Sequence, residues 1–248
     1  NWGLNRTSCD YLDSEVSRYT LGSIRIGSAV VNAGGGYGDI VGKAYKRDAQ
    51  GRKIIDSNGI PESESDKVIG NMLPKWTGSV GTQLRWRDLT FSALVDVRHG
   101  GKFISNTDNY ACQQGTSART LYGRKSGEQI VVDGVTEDGQ VNTKGVNAET
   151  YWTSIAGSDG IAEEFLYSAS YIKMREMSLG YILPAHWFAN TPIKYVKLSL
   201  VGRDLFYIHK AAPVNPEGAF SRSDYAQAFE LASMPPTRSF GFSLNVKF

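Results

Sequence analysis

The stretch RSFGFSLNVKF, Arg238 to Phe248, closes the chain. Phe240, Phe242, Leu244, Val246 and Phe248 fall on one parity. Ser239, Gly241, Ser243, Asn245 and Lys247 fall on the other. A period of two marks a strand with one apolar and one polar face. The alternation alone does not say whether the apolar face meets a protein core or lipid.

Working back from this stretch, the same period recurs. KYVKLSLVGRDLFYI places Val196, Leu198 and Leu200 on one face and Lys197, Ser199 and Arg203 on the other, with Val201 an exception. LTFSALVDVR turns Leu89, Phe91, Ala93, Val95 and Val97 outward, against Thr90, Ser92, Asp96 and Arg98. TGSVGTQLRW places Val80, Thr82, Leu84 and Trp86 on one face. In SYIKMREMSLGYIL, Met177, Leu179 and Tyr181 agree, but Lys173 and Arg175 share their parity. A bulge, or extension of the strand beyond the apolar zone, accounts for that. YTLGSIRIGSAV reads as one further strand. Connections of roughly 44, 67 and 27 residues alternate with short turns at Arg87-Asp88 and Pro184 to Ile193, and connections that long are uncommon inside compact domains. The asymmetry, long loops at one end and short turns at the other, is that of an outer-membrane barrel. The expected fold is all-β: about six antiparallel strands with long extracellular loops, a segment of a large transmembrane barrel. Trp76, Trp86, Tyr181 and Trp187 near strand ends suit interfacial belts.

Composition agrees. The 248 residues include 27 Gly, 13 Tyr and 10 Phe, and the formal charge is +2 with scattered basic residues, which does not suggest a nucleic-acid partner. No apolar run is long enough for a membrane helix. Cys9 and Cys112 read as unrelated thiols, with one loop-to-loop disulfide as the alternative, and His99, His186 and His209 do not cluster. No catalytic, phosphate-cradling or metal-ligating motif is present; no cofactor is implied. Gly34-Gly35-Gly36-Tyr37-Gly38 reads as a flexible loop, and Glu163-Glu164 as a solvated loop end. Asp133, Glu137 and Asp138, in DGVTEDGQ, read as a turn-rich hairpin whose spacing misses the EF-hand loop. The opening NWGLNRTSCDYL lacks the features of a secretory signal. Either the protein is not exported or its N-terminus lies outside this sequence.

Six segments, in order, resemble the C-terminal part of the SusC/RagA group of TonB-dependent outer-membrane transporters. They are VIGNMLPKWTGSV (Val68 to Val80), DVRHGGK (Asp96 to Lys102), YIKMREMSLGYILP (Tyr171 to Pro184), VGRDLFYIHK (Val201 to Lys210), NPEGAF (Asn215 to Phe220) and PPTRSFGFSLNVKF (Pro235 to Phe248). Asp204 stands where the group usually has Asn, and Asn215 where it usually has Asp. The resemblance implies a barrel of about 22 strands around a plug, with TonB-contacting and plug segments outside this chain. Residues 1–248 would then be the C-terminal part of the barrel. It also implies that the strand carrying Phe240, Phe242, Leu244, Val246 and Phe248 is the barrel-assembly signal, paired with the first strand to remove the open edge.

The resemblance further implies a nutrient importer, not an enzyme. It takes up oligosaccharide or peptide, is capped by a SusD-like surface lipoprotein, and is driven by TonB. The alternatives are a passive porin or structural barrel, and a soluble β-sandwich binding module. Parity places Asp96 and Arg98 in the lumen, leading into the connection His99 to Phe165. There Tyr110, Tyr122, Tyr151 and Trp152, with amides such as Asn106, Gln113, Gln114 and Asn142, suit stacking on sugars or peptide backbones. The alternative is that these aromatics pack the loop against itself.

Overall fold

The computed structural model describes every residue except Ser14, Ser126, Ala219 and Arg222. Six strands form one antiparallel meander: β1 (Trp2–Leu4), β2 (Trp76–Trp86), β3 (Leu89–His99), β4 (Tyr171–Ile182), β5 (Tyr195–Lys210) and β6 (Ser239–Lys247). Each pairs with the next in the chain, and the sheet is open at β1 and β6. The expected number of strands holds, but one member differs. YTLGSIRIGSAV is a hairpin in another sheet, Arg18–Ile24 against Gly27–Asn32. The sixth strand is Trp2–Leu4, too short for a periodicity argument to find.

Register explains which face is apolar. Leu84, Phe91, Leu179, Leu200 and Phe242 form one row across β2 to β6. Trp86, Leu89, Tyr181, Leu198 and Leu244 form the row below it. Leu200 is 65% exposed and Phe242 78%. Single exposed apolar residues are normal, but whole adjoining rows are not a surface for water. No other sheet packs on this face among the described residues, so the chain does not form the sandwich alternative. The opposite face carries Gln83, Ser92, Ser178, Val201 and Gly241 in one row. Strand β2 spans 11 residues between Trp76 and Trp86. At about 3.4 Å per residue and a tilt of roughly 40°, that crosses an apolar band of about 25 Å.

The short turns lie at one end. At Arg87-Asp88, Arg87 takes the positive φ (54°) that a two-residue hairpin turn asks of its first position. Residues 5–75, 100–170 and 211–238 all leave from the other end, and they fold together into a cap. One cap sheet holds Gly27–Asn32, Gly35–Tyr45 and Ser63–Asn71. Another sets Lys102–Ser105 antiparallel to Leu166–Ser168 and parallel to Phe229–Glu230. Helices α1 (Asn106–Gln113) and α2 (Ala148–Ile155) are capped by Ser105 and Asn147, whose side chains accept from the amides of Asp108 and Thr150. The chain's main core is here, around Ile40, Ile55, Ile104, Ile155, Phe165 and Phe229. The barrel sheet turns its apolar side chains outward, so the excursions bury their own.

The glycine run at 34–38 is not a free loop. Gly34, at φ 71°, turns the chain, and Gly35 begins the long strand to Tyr45. DGVTEDGQ is the expected hairpin, closed by Thr136 N donating to Gln140 O at 2.8 Å. No helix is long and apolar enough to cross a membrane, which says nothing of strands.

Candidate functional site at the junction of wall and cap

The parity conflict in SYIKMREMSLGYIL marks the site. In β4, Met174 pairs with Val95 and Glu176 with Leu94, so Arg175 is an extra residue against β3. The bulge reverses parity. Ile172 and Met174 join the outward face, while Lys173 pairs with Asp96 on the polar face. Strand β5 breaks at the same level, where Asp204 takes φ 52°.

Four cations and carboxylates of the wall then meet one carboxylate from the cap. Arg175 Nη2 lies 2.6 Å from Asp96 Oδ2 and 2.6 Å from Glu217 Oε1, and its Nη1 lies 2.9 Å from Asp204 Oδ1. Lys173 Nζ is 2.6 Å from Glu217 Oε2 and 2.8 Å from Asp204 Oδ1. The Tyr207 and Tyr171 hydroxyls donate to Glu217 at 2.8 and 3.1 Å. The Lys173 side chain is only 3% exposed. Asn215 shapes the turn that presents Glu217: its Oδ1 accepts from Glu217 N and lies 2.7 Å from the Tyr207 hydroxyl oxygen. An amide oxygen does this as well as a carboxylate would, so Asn215 is compatible with the motif's geometry; Ala219, in the same motif, lies outside the described residues. Burial pushes the Glu217 carboxyl up, but hydrogen bonds from Arg175, Lys173 and Tyr207 outweigh it and hold the group at about 2.

Arg98 lies alongside. Its Nη2 donates to Met72 O at 3.1 Å, and its Nε has no partner among the described residues. The following Gly100 and Gly101 sit at φ 81° and 79°, and a Cβ at Gly101 would meet Met72 O at 3.0 Å. Only glycine makes this turn without strain. Five of the six segments quoted from the sequence therefore meet at one place: Met72, Asp96 with Arg98, Lys173 with Arg175, Asp204, and Glu217.

No family model matches the chain. It is 23% identical over 199 residues to TonB-dependent receptor P3 of Formosa agariphila, which covers 78% of this chain and 18% of that protein. It superposes on a chain of the RagAB peptide importer in the open-open state with a TM-score of 0.60 at 16% identity, covering 100% of this chain and 26% of the other. For the closed-closed state the TM-score is 0.57 at 17% identity, covering 94% and 25%. The fold is that of a SusC/RagA-type TonB-dependent transporter barrel. The chain spans less than a fifth of the receptor and about a quarter of the importer chains.

The remaining candidates separate into two groups. Tyr122 is 64% exposed, and Tyr110 is exposed on one side while Arg25 Cζ stacks 3.7 Å over its ring. Asn142, Tyr151 and Trp152 are buried, which corrects the expectation that they present a stacking surface. Asn142 Nδ2 donates to Val132 O and its Oδ1 accepts from Lys144 N, so it ties its own hairpin. Tyr151 and Trp152 pack edge-to-face at 5.1 Å in the cap core. Glu163 and Glu164 are not a solvated end either. Glu163 accepts from both Arg47 guanidinium nitrogens and from Tyr45 N, and Glu164 accepts from the Tyr45 hydroxyl and from Arg119. Arg119 also reaches Asp108 at 2.5 Å. Phe240, Phe242 and Leu244 lie on the exposed apolar face, Val246 is half-buried, and Phe248 follows the last strand. Cys9 and Cys112 are both free, and burial, then Asp108, pushes the Cys112 thiol up to about 11.

Sequence reasoning missed Lys173, Arg175, Tyr207 and Glu217 as a unit. The available signal was two cations at apolar parity, which the bulge resolves.

Proposed function

We propose that the chain is the C-terminal part of an outer-membrane barrel that imports a nutrient, oligosaccharide or peptide. TonB supplies the energy through the plug and N-terminal segments, and a SusD-like lipoprotein covers the cap. One observation carries this reading: the excursions form a folded roof at one end, and that roof is tied to the lumen wall through Glu217. A passive porin needs an open mouth; a roof tied to the wall favours a gated route. The relatives support the reading, being named a receptor and peptide importers. Asp96 and Arg98 on the wall, and Tyr110 and Tyr122 on the cap, are the residues proposed to meet cargo or partner.

The test is uptake by cells that carry the full-length protein, with and without TonB and the adjacent lipoprotein. Uptake that stops without TonB and weakens without the lipoprotein is expected. Uptake that continues unchanged without TonB would make the barrel a passive porin.

A further inference from the structure

At the short-turn end the apolar face of the sheet finishes in a graded edge. The row of Trp86, Leu89, Tyr181, Leu198 and Leu244 is the last complete one. Beyond it lie the turn Arg87-Asp88 and the turn that carries Trp187, whose ring is exposed. Ile182 N donates to Asp88 O at 2.8 Å, which latches the first turn against β4 beside Tyr181. Apolar rows, then aromatic rings, then cations is the order in which a leaflet passes from acyl chain to headgroup.

Arg87 departs from what its turn needs. Positive φ at the first turn position alone, 54° here, is the setting that glycine ordinarily fills. An arginine held there is strained, and strain kept at one position points to a use for its side chain. The guanidinium shows the direction. Its Cζ lies 5.4 Å from the centre of the Trp86 ring, and Trp86 is 68% exposed on the outward face. Arg87 therefore lies on the lipid side of the wall, whereas Arg85 and Lys197 have lumen parity. A guanidinium over a ring keeps its edge N–H groups turned outward, and that fork matches a phosphate.

Lys194 is a second outward cation. Its N donates to Lys247 O, which extends the ladder and gives Lys194 the parity of Val196 and Leu198. It lies two or more strands from Arg87, roughly 10 Å along the rim, so the two meet different headgroups. Residues 84–91 and 182–198 hold one carboxylate, Asp88, against Arg85, Arg87, Lys194 and Lys197. A zwitterionic headgroup would bring a further cation to this rim; an anionic one would not.

We propose that the short-turn rim binds anionic phospholipid of the adjoining leaflet, with Arg87 on the headgroup phosphate and Trp86 and Tyr181 beside the glycerol region. The proposal rests on the barrel and not on what the barrel imports.

The experiment is native mass spectrometry of the full-length transporter in detergent, supplied with equal amounts of phosphatidylglycerol and phosphatidylcholine of the same chains. Wild type is expected to retain more phosphatidylglycerol. Arg87→Gly suits the turn better, so it should assemble at least as well by heat-modifiable gel mobility. It should nevertheless lower the preference about fivefold, the worth of one basic side chain near an anionic surface. Arg87→Lys should keep most of the preference, and Lys197→Gln, which removes a charge on the lumen side, should leave it unchanged. Equal retention of the two lipids by wild type overturns the proposal, as does a preference that survives Arg87→Gly. An equal loss in Lys197→Gln also overturns it, because overall charge and not the outward rim would then set the preference.

Discussion

Lys173 Nζ of β4 lies 2.6 Å from Glu217 Oε2 of the last excursion, joining a buried cation of the barrel wall to a carboxylate of the cap. Lys173 also has Asp204, and Arg175 also has Asp96. Among the described residues, Glu217 alone reaches both cations from outside the sheet. Without the Glu217 charge, Asp204 and Asp96 still neutralise the two cations, so what is lost is the tie between wall and cap and not the pairing of the wall itself. Glu217→Gln is therefore expected to loosen residues 211–238 while the barrel sheet persists. Hydrogen exchange should rise across that excursion but not in β2 and β3. Equal protection in variant and wild type would mean that the pair does not hold the cap.

Acid should reproduce the effect. Glu217 is held down at about 2 from an ordinary 4.5. A carboxyl depressed in the folded state stabilises fully above its ordinary value and loses that contribution as pH falls through its folded value. Protection of residues 211–238 should thus fall between about pH 4.5 and pH 2. Glu217→Gln, with no carboxyl to protonate, should flatten that part of the profile. A profile identical in the two proteins would assign the acid response elsewhere; Glu163, held low against burial by Arg47 and by the Tyr45 amide, is the nearest alternative in the cap.

These relationships mark what the sequence could and could not disclose. Phe242, Leu200, Leu179, Phe91 and Leu84 each announced their face by parity, because a strand in lipid needs one consistent side. The bulge at Arg175 showed as a conflict in that parity, and the conflict was itself the signal. The cap was opaque for a different reason. Its residues pack across long sequence separations, as when Tyr45 meets Glu164 and Ser105 meets Glu230. Local period carries no record of such contacts. Tyr151 and Trp152 therefore read equally well as ligand platform or core, and only packing decided. Glu217 was quoted within a motif without a role, because its partners lie in two other segments.

The lipid face has a paired test. Leu244 sits opposite Leu198 on the apolar side, and Ser243 sits opposite Ser199 on the polar side. Asn245 is the poorer control, since it faces Lys197 and an added cation there would meet a like charge. Leu244→Arg should block assembly, at roughly 2–4 kcal/mol for an arginine near the bilayer midplane. Ser243→Arg should be tolerated. Heat-modifiable gel mobility of the full-length protein reads both. Equal tolerance of the two changes would reverse the face assignment.

Arg119 offers a contrast inside the cap. It donates to Asp108, which is largely buried, and to Glu164, and its guanidinium lies 5.1 Å from the Trp152 ring. Arg119→Met leaves Asp108 without its cation and should destabilise the cap by about 3 kcal/mol. Glu164→Gln keeps an acceptor for the Tyr45 hydroxyl and should cost about 1 kcal/mol. Limited proteolysis of intact cells, with cleavage sites mapped, separates the two. Greater sensitivity of the Glu164 variant would show that Asp108 has another means of support.

The excursion that follows β3 can be divided by burial. Replacing residues 107–147 with a short flexible linker would remove Cys112, Val132, Val135 and Val146, all buried, and uncover Ile55, Trp152 and Phe165. Loop length alone costs little, but uncovering large core residues costs several kcal/mol each. The replacement is therefore expected to unfold the cap, and lost uptake in that variant would say nothing about recognition. Tyr122→Ala changes an exposed side chain and should alter stability by less than about 0.5 kcal/mol. If Tyr122 meets the lipoprotein or the cargo, co-purification or uptake falls while the barrel and cap keep their protease resistance. Unchanged co-purification and uptake would leave Tyr110, half covered by Arg25, as the cap aromatic still to be tested.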